Sequence, residues 1–559
     1  MSAPVTQPAA RSPWLGEPVS VLPSGGACET NDTSRAASPN GEGITPAGYQ
    51  GPTSNFSFRL PDRHVTNGLT SRYFDFAAPT YRYLHWPTFE SWLSRLHEQE
   101  DMDQVSLAPI RRAIVLMVLA TACLYNVESG NGSDTTACDA VDSRTAEVND
   151  NNLRMGETLY QAAQLAITSE TGRPRLESVQ ARLATSLYQL NTSRLNQAWH
   201  TLGSTYQLAL SIGIHRARAP GSADSTRVVR ECQKRCFWAV HMLDTYLSVM
   251  LGRPPYINDT YIDQRFPEIV DDNDLLSDEA VTRAIPKDCI QAAPVMHAKL
   301  TRIVKEALKE QALVHVARDQ HMIATAQRLG LQIEQWRNQL PLFLSGGIHP
   351  SSLVPVFRRQ LTVLQIGCAH AVMIITRPLL FGQLTEPAMM QPHIEKCLSA
   401  AKLVLDLVLD LAADNNLIPA FWNTQYVTFN ALTIVYVWIM QRKQGRLSII
   451  PTQYDEMVLF KLAKSVQVHL ARATNANAPS LRYSIILEEL QQELSCLLSR
   501  SDIAQSEVTN RQVATIDHQA MSANSSLEPR QWDASDMDFP LDPELWFQLD
   551  TLPFSTVDV

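Results

Sequence analysis

RVVRECQKRCFWAVHMLDTYLSVMLGRPP, residues 227–255, is the stretch whose reading decides the fold. Its apolar residues Val229, Cys232, Cys236, Val240, Leu243, Leu247 and Met250 recur every three or four positions, which marks one face of an α-helix. Gly252 follows the last turn and can adopt the left-handed conformation that ends a helix, and Pro254 and Pro255 cannot continue one. The spacing predicts one long helix with a marked end.

A polar line runs beside the apolar one. His241, Asp244 and Ser248 are three and four residues apart and share a strip of the helix surface. Two readings are open: a solvated strip, or a buried hydrogen-bonded network among Trp238, Leu243, Leu247 and Leu251, in which the aspartate must find partners.

Within this stretch, Arg235, Phe237, Trp238, Asp244, Ser248, Gly252, Arg253, Pro254 and Pro255 resemble the most recognisable segment of the fungal-specific transcription factor domain. That domain is the middle homology region of fungal binuclear-zinc-cluster regulators. Cys236 stands between Arg235 and Phe237. Further segments are similar to the same family. Pro87-Thr88-Phe89 follows an aromatic-rich run at 73–86 and places a proline in a helix's first turn. Trp199, Gly203, Ala209, Gly213, Ile214, His215 and Arg216 match a helix and its end, Asp263 and Pro267 a following loop, and Arg377-Pro378-Leu379-Leu380 another helix end. Phe421, Tyr426, Phe429, Asn430 and Ala431 match a last, less specific segment.

Working outward, residues 1–65 are rich in Pro, Gly, Ser and Thr without helical period and read as a disordered arm. Residues 69–500 read as one helical regulatory domain. Helices are expected at 111–126, 152–168, 175–190, 195–214 and 227–251, then within 289–340, and at 355–376, 390–413, 418–442, 453–472 and 482–499. Residues 127–150 read as a solvated acidic loop, because no calcium-loop spacing is present. Gly203, Ala209 and Gly213 would let a neighbouring helix approach closely. His215 reads as a residue capping helix-end carbonyls rather than as a metal ligand or catalyst. The fold class expected is all-α.

Residues 501–559 read as a disordered tail. The final stretch, 531–559, has no Lys or Arg, and its carboxylates alternate with Trp532, Phe539, Leu545, Trp546 and Phe547. Repulsion among the carboxylates keeps such aromatics available, and the composition reads as an activation segment that folds on a partner, or as a tail docking on its own domain.

The chain has 559 residues and a net charge of −10, which gives no bulk attraction to polyanions. The densest basic patch, 441–446, reads as a solvated helix end. Nine scattered cysteines form no paired metal motif, and Cys232 and Cys236 lie one turn apart on the apolar face of a helix. The apolar run from Ala113 to Tyr125 is shorter than the ~20 residues needed to cross a bilayer, and no membrane partner is expected. No phosphate loop, zinc-protease motif or nucleophile elbow occurs, so no catalytic residue and no enzyme activity are expected.

The resemblance implies a nuclear regulator of RNA polymerase II genes, with secondary-metabolite gene sets a candidate target. It also implies transcription machinery or a coactivator as partner. The six-cysteine zinc cluster of such regulators does not occur, since Cys28 is the one cysteine before residue 120. No zinc or other cofactor is therefore expected, no DNA-binding residue is identified, and DNA contact is expected through a DNA-binding partner, a homodimer or a segment encoded upstream. The alternative is a ligand-sensing or co-regulator module without its own DNA-binding domain.

Overall fold

The helix at the centre of the chain is set by its two ends. The Thr226 hydroxyl accepts a hydrogen bond from the Val229 amide at 3.4 Å, and Gly252 closes the last turn at φ 60°, its N–H bonded to the Ser248 carbonyl. In this computed structural model the described residues are 60–102, 107–125, 138–217, 226–276, 288–311, 319–381, 387–414, 417–445, 447, 453–474 and 483–498. All belong to the second of two compact units, Phe58–Val559; the first, Met1–Ser57, lies outside them. The expected tail, with Trp532, Phe539, Leu545, Trp546 and Phe547, also lies outside the described residues.

Fourteen helices are labelled here in chain order. They are α1 (Arg63–Arg72), α2 (Trp86–Met102), α3 (Pro109–Tyr125), α4 (Cys138–Thr168), α5 (Leu176–Asn191), α6 (Leu195–Ser211) and α7 (Arg227–Leu251), the central helix, followed by α8 (Ala292–Gln311), α9 (Asp319–Asn338), α10 (Pro355–Phe381), α11 (Pro387–Ala413), α12 (Trp422–Lys443), α13 (Glu456–Thr474) and α14 (483–498). Among the described residues there is no strand, and the fold is all-α.

Neighbours in sequence are largely neighbours in space. α3 packs on α4 and α5, α5 on α6, α6 on α7 and α7 on α8, while α10 takes α8, α9, α11 and α12 around it. One apolar core runs through all of them, from Leu60 to Leu494. α10 is long and apolar enough by composition to cross a bilayer, yet 72% of its most apolar window is buried among these neighbours, as in the core helix of a bundle.

Three expectations shift. Residues 138–150 are helical, continuous with α4, where a loop was expected. Its sequence carries no sustained apolar stripe to reveal it, and where the part ends Asp150 pairs with Arg154 one turn on, at 2.8 Å. α10 runs on through Pro378 to Phe381 instead of stopping at residue 376. The buried side chains of Leu379 and Leu380 hold this last turn in the core despite the missing N–H. At the other end of the unit, α1 begins at Arg63, just inside the expected arm.

Candidate functional site

α7 organises what surrounds it, because nearly every side chain from Glu231 to Leu251 is buried. Val229, read as part of its apolar face, is instead 39% exposed at the solvated first turn. The His241–Asp244–Ser248 strip is buried and hydrogen-bonded, with Asp244 only 2% exposed. The Asp244 carboxylate accepts from the backbone amides of Tyr256 and Ile257 at 2.9 and 3.0 Å, clamping the chain just after the Arg-Pro-Pro stop onto the helix it has left. Ser248 donates its hydroxyl to the Asp244 carbonyl at 2.7 Å.

The charge of this clamp is balanced by Lys305 on α8, whose side chain is wholly buried. Its Nζ lies 3.9 Å from Asp244 Oδ2 and 3.1 Å from Asp259 Oδ1. His241 Nε2 reaches the same Asp259 oxygen at 3.0 Å. Burial pushes the Asp244 carboxyl up to about 6, against the pull of Lys305 and the two amides. Burial also opposes the Asp259 carboxylate, but His241 and Lys305 overcome it and hold that carboxyl well below its ordinary range. Desolvation keeps His241 neutral, which fits an Nε2–H donated to Asp259 and leaves Nδ1 buried without a partner.

A second clamp lies two turns earlier on α7. Arg235 Nη1 meets Asp272 Oδ1 at 2.5 Å, and the other oxygen of Asp272 accepts from the Trp86 amide at the start of α2. Glu231 accepts from the Glu268 amide at 2.8 Å. Trp238 donates its indole N–H to the Arg265 carbonyl and stacks on Phe266 with centroids 4.2 Å apart. Phe237 is fully buried in the core. Arg253 lies 4.5 Å over the Trp199 ring and donates to Asn196 on α6, and the half-exposed Pro254–Pro255 pair turns the chain toward the clamp.

Of the motif residues predicted from sequence, Arg235, Trp238 and Asp244 hold the loop 252–276 to α7, whereas Phe237 fills the core, Ser248 bonds within α7 and Arg253 reaches α6. Lys305, Asp259, Glu231 and Asp272 were not singled out by the sequence. Nothing in their spacing distinguishes them from solvated charges, and only the fold buries Lys305. Gly203 does admit a close neighbour, but it is the Tyr256 ring rather than a helix: a Cβ there would meet Tyr256 Cζ at 2.9 Å. Close helix approach occurs at Gly156 instead, where a Cβ would stand 3.2 Å from the Ala120 carbonyl of α3. His215 caps nothing through its Nδ1, which is buried without a partner; the helix-end carbonyls of Ile214 and Arg216 accept from the Gln264 amide at 2.9 Å.

The segments near residues 377 and 430 also meet, with Arg377 donating to Asn430 Oδ1 at 3.2 Å between α10 and α12. Cys232 and Cys236 are buried, and burial raises both thiols, that of Cys232 to about 12, so they pack as small apolar groups. The basic patch after 441 is partly neutralised, since Arg442 and Lys443 both pair with Glu456. Among the described residues no group of three or more His, Cys, Asp or Glu side chains is placed to hold a metal ion. The α7 network is satisfied mainly by its own members and fixes the loop in place.

Residues 70–338, which hold both clamps, match the family model of the fungal specific transcription factor domain. This part of the chain is a fungal specific transcription factor domain. The domain's recognisable segment therefore includes the three side chains, Arg235, Trp238 and Asp244, that fasten loop 252–276 to α7. Relatives over a longer stretch include the Saccharomyces cerevisiae protein named activator of stress genes 1, 22% identical over 75% of this chain and 42% of its own length. A putative transcriptional regulatory protein of the same yeast is 22% identical over 78% of this chain and 58% of its own. The chain thus spans about half the length of these relatives. Among solved structures, a chain of the K. lactis CBF3 core is similar with a TM-score of 0.46 at 13% identity, covering 81% of this chain and 88% of that one.

Proposed function

We propose that the chain is a nuclear regulator of RNA polymerase II genes in a fungus, with the helical unit as regulatory body and residues 531–559 as the segment that recruits transcription machinery or a coactivator. The observation that carries this reading is the fungal specific transcription factor domain at 70–338. The names of its relatives support it: they are regulators and activators rather than enzymes. DNA contact comes through a DNA-binding partner, a second copy or a segment encoded upstream. The tail's part is supported by its composition, in which acids such as Asp538, Asp542 and Glu544 alternate with Phe539, Leu545, Trp546 and Phe547.

The test joins residues 531–559 to an unrelated DNA-binding domain and reads a reporter gene. Activation is expected, with most of it lost when Trp546 and Phe547 are both replaced by Ala, because aromatic anchors carry most of such binding energy. An inert fusion would remove the activation segment while leaving the domain at 70–338 untouched.

A further inference from the structure

Arg359, in the second turn of α10, is a buried cation whose charge nothing nearby balances. It is 8% exposed, and its Nε and Nη1 have no hydrogen-bond partner. It makes no ion pair among the described residues. Its guanidinium lies 3.8 Å over the Phe421 ring and 5.4 Å from the centroid of Phe76. Arg72 is a second cation on the same pair of rings, 4.1 Å over Phe76. Burial pulls the Arg359 pKa down to about 10, so the guanidinium stays charged at neutral pH.

A buried guanidinium with free N–H groups costs several kcal/mol unless something answers it. Cation–π contact with two rings recovers part of that, but it engages the face of the guanidinium and leaves the edge donors unused. Arg359 lines a cavity of about 60 Å³ between α10, the segment 77–81 and the start of α12. Tyr81 lines the same cavity, and its hydroxyl is also buried without a partner. Asn423 on the rim has an unpartnered Oδ1. The rest of the wall is mixed: Ala77, Pro79, Val363 and Ile366 are apolar, while Thr80, Tyr246 and His297 are hydrogen-bonded to one another and Tyr125 to Ala420. The half-buried Val363, Trp422 and Asn423 form its edge toward solvent.

We propose that this cavity binds the carboxylate of a small monocarboxylic acid, held by the Arg359 fork with the Tyr81 hydroxyl as a further donor. The fork matches the two oxygens of a planar carboxylate. The volume, room for about two waters, takes a carboxylate and one or two carbons. The apolar part of the wall suits those carbons, and a single guanidinium balances one negative charge rather than the two of a phosphate. The site is independent of the activation segment, so its failure and the failure of the regulator reading are separate results.

The test is thermal unfolding of the full chain with acetate, propionate or butyrate, against chloride, nitrate and phosphate at matched ionic strength. The melting temperature is expected to rise with carboxylate concentration and not with the inorganic anions, since a ligand of the native state alone raises it. Arg359→Met should fold, because it removes an unpaired buried charge, and should abolish the carboxylate response. Tyr81→Phe loses no internal hydrogen bond and should weaken the apparent affinity about tenfold; it decides the matter if the Arg359 variant does not fold. No carboxylate-specific shift, an undiminished shift in either variant, or an equal response to nitrate or phosphate would overturn the assignment.

Discussion

Asn in place of Asp244 would keep the side chain's shape and remove its charge. One of its two backbone amides, from Tyr256 or Ile257, would then face an NH2 group instead of an oxygen. Lys305, wholly buried, would keep Asp259 but lose the second of its two carboxylates. Leaving a buried amide without its acceptor costs about 1–3 kcal/mol. Asp244→Asn is therefore expected to lower unfolding free energy by roughly 2 kcal/mol in urea titration. A loss under 0.5 kcal/mol, on the order of a surface change, would mean the two amides do not need both oxygens. The aspartate's importance was legible, since it sits on a polar strip inside an apolar setting. Its partner was not: Lys305 lies sixty-one positions on, in a helix whose lysines look alike, and only the packing of α8 on α7 buries this one. Local spacing reports which face a residue shares, and burial of an isolated charge is decided by which other element covers that face.

At the scale of elements, the contact of α7, α8, α10 and α12 is lined with histidines that titrate only in the unfolded chain. His297 on α8 is hydrogen-bonded to Tyr246 and Thr80, and burial lowers its pKa from 6.5 to about 4. His370 on α10 lies between Tyr246 and Tyr426, and burial first, then Arg377, lowers it to about 3. A histidine whose native pKa is depressed contributes stability above its unfolded value, and loses it as pH falls from 6.5 toward the native value. Between pH 7 and pH 5 each costs roughly 2 kcal/mol. Asp244 runs the other way: raised from 3.8 to about 6, it stabilises as pH falls through 6 and returns roughly 1 kcal/mol. These three groups together cost roughly 3 kcal/mol from pH 7 to pH 5, and in denaturant titration His370→Leu is expected to reduce the loss over that range by roughly 2 kcal/mol. An unchanged pH slope in that variant would mean His370 titrates in the native helix as it does in the unfolded chain. Which segments are helical could be read from apolar period and from Gly252. The start of α4 and the run of α10 past Pro378 could not, because one has no apolar stripe and the other is held by tertiary burial that overrides a proline.

At the scale of the whole molecule, the family match ends at residue 338 but the core does not. α10 supplies Leu361, Leu364, Ile366, Met373 and Ile374 to that core, and each large aliphatic side chain fully buried is worth about 1.5–3 kcal/mol. Its Gln360 donates to the carbonyls of Pro79 and Ile290, both 2.9 Å away, joining two loops that belong to the matched part. From α12, Tyr426 donates to the Val249 carbonyl at the end of α7, and Tyr125 of α3 donates back to the Ala420 carbonyl. The domain recognised by sequence is thus completed by helices outside it. A fragment of residues 60–338 would expose the faces of α8 and α9 that α10 covers, and would leave those carbonyls to water. It is expected to bind a hydrophobic dye, melt without a sharp transition and associate in solution, whereas 60–498 should be a monodisperse species with one cooperative transition. Differential scanning calorimetry and light scattering on the two fragments decide it. A cooperative, monomeric 60–338 would make α10–α14 an attachment rather than part of the regulatory body, and would place the Arg359 cavity at a boundary between folding units instead of inside one.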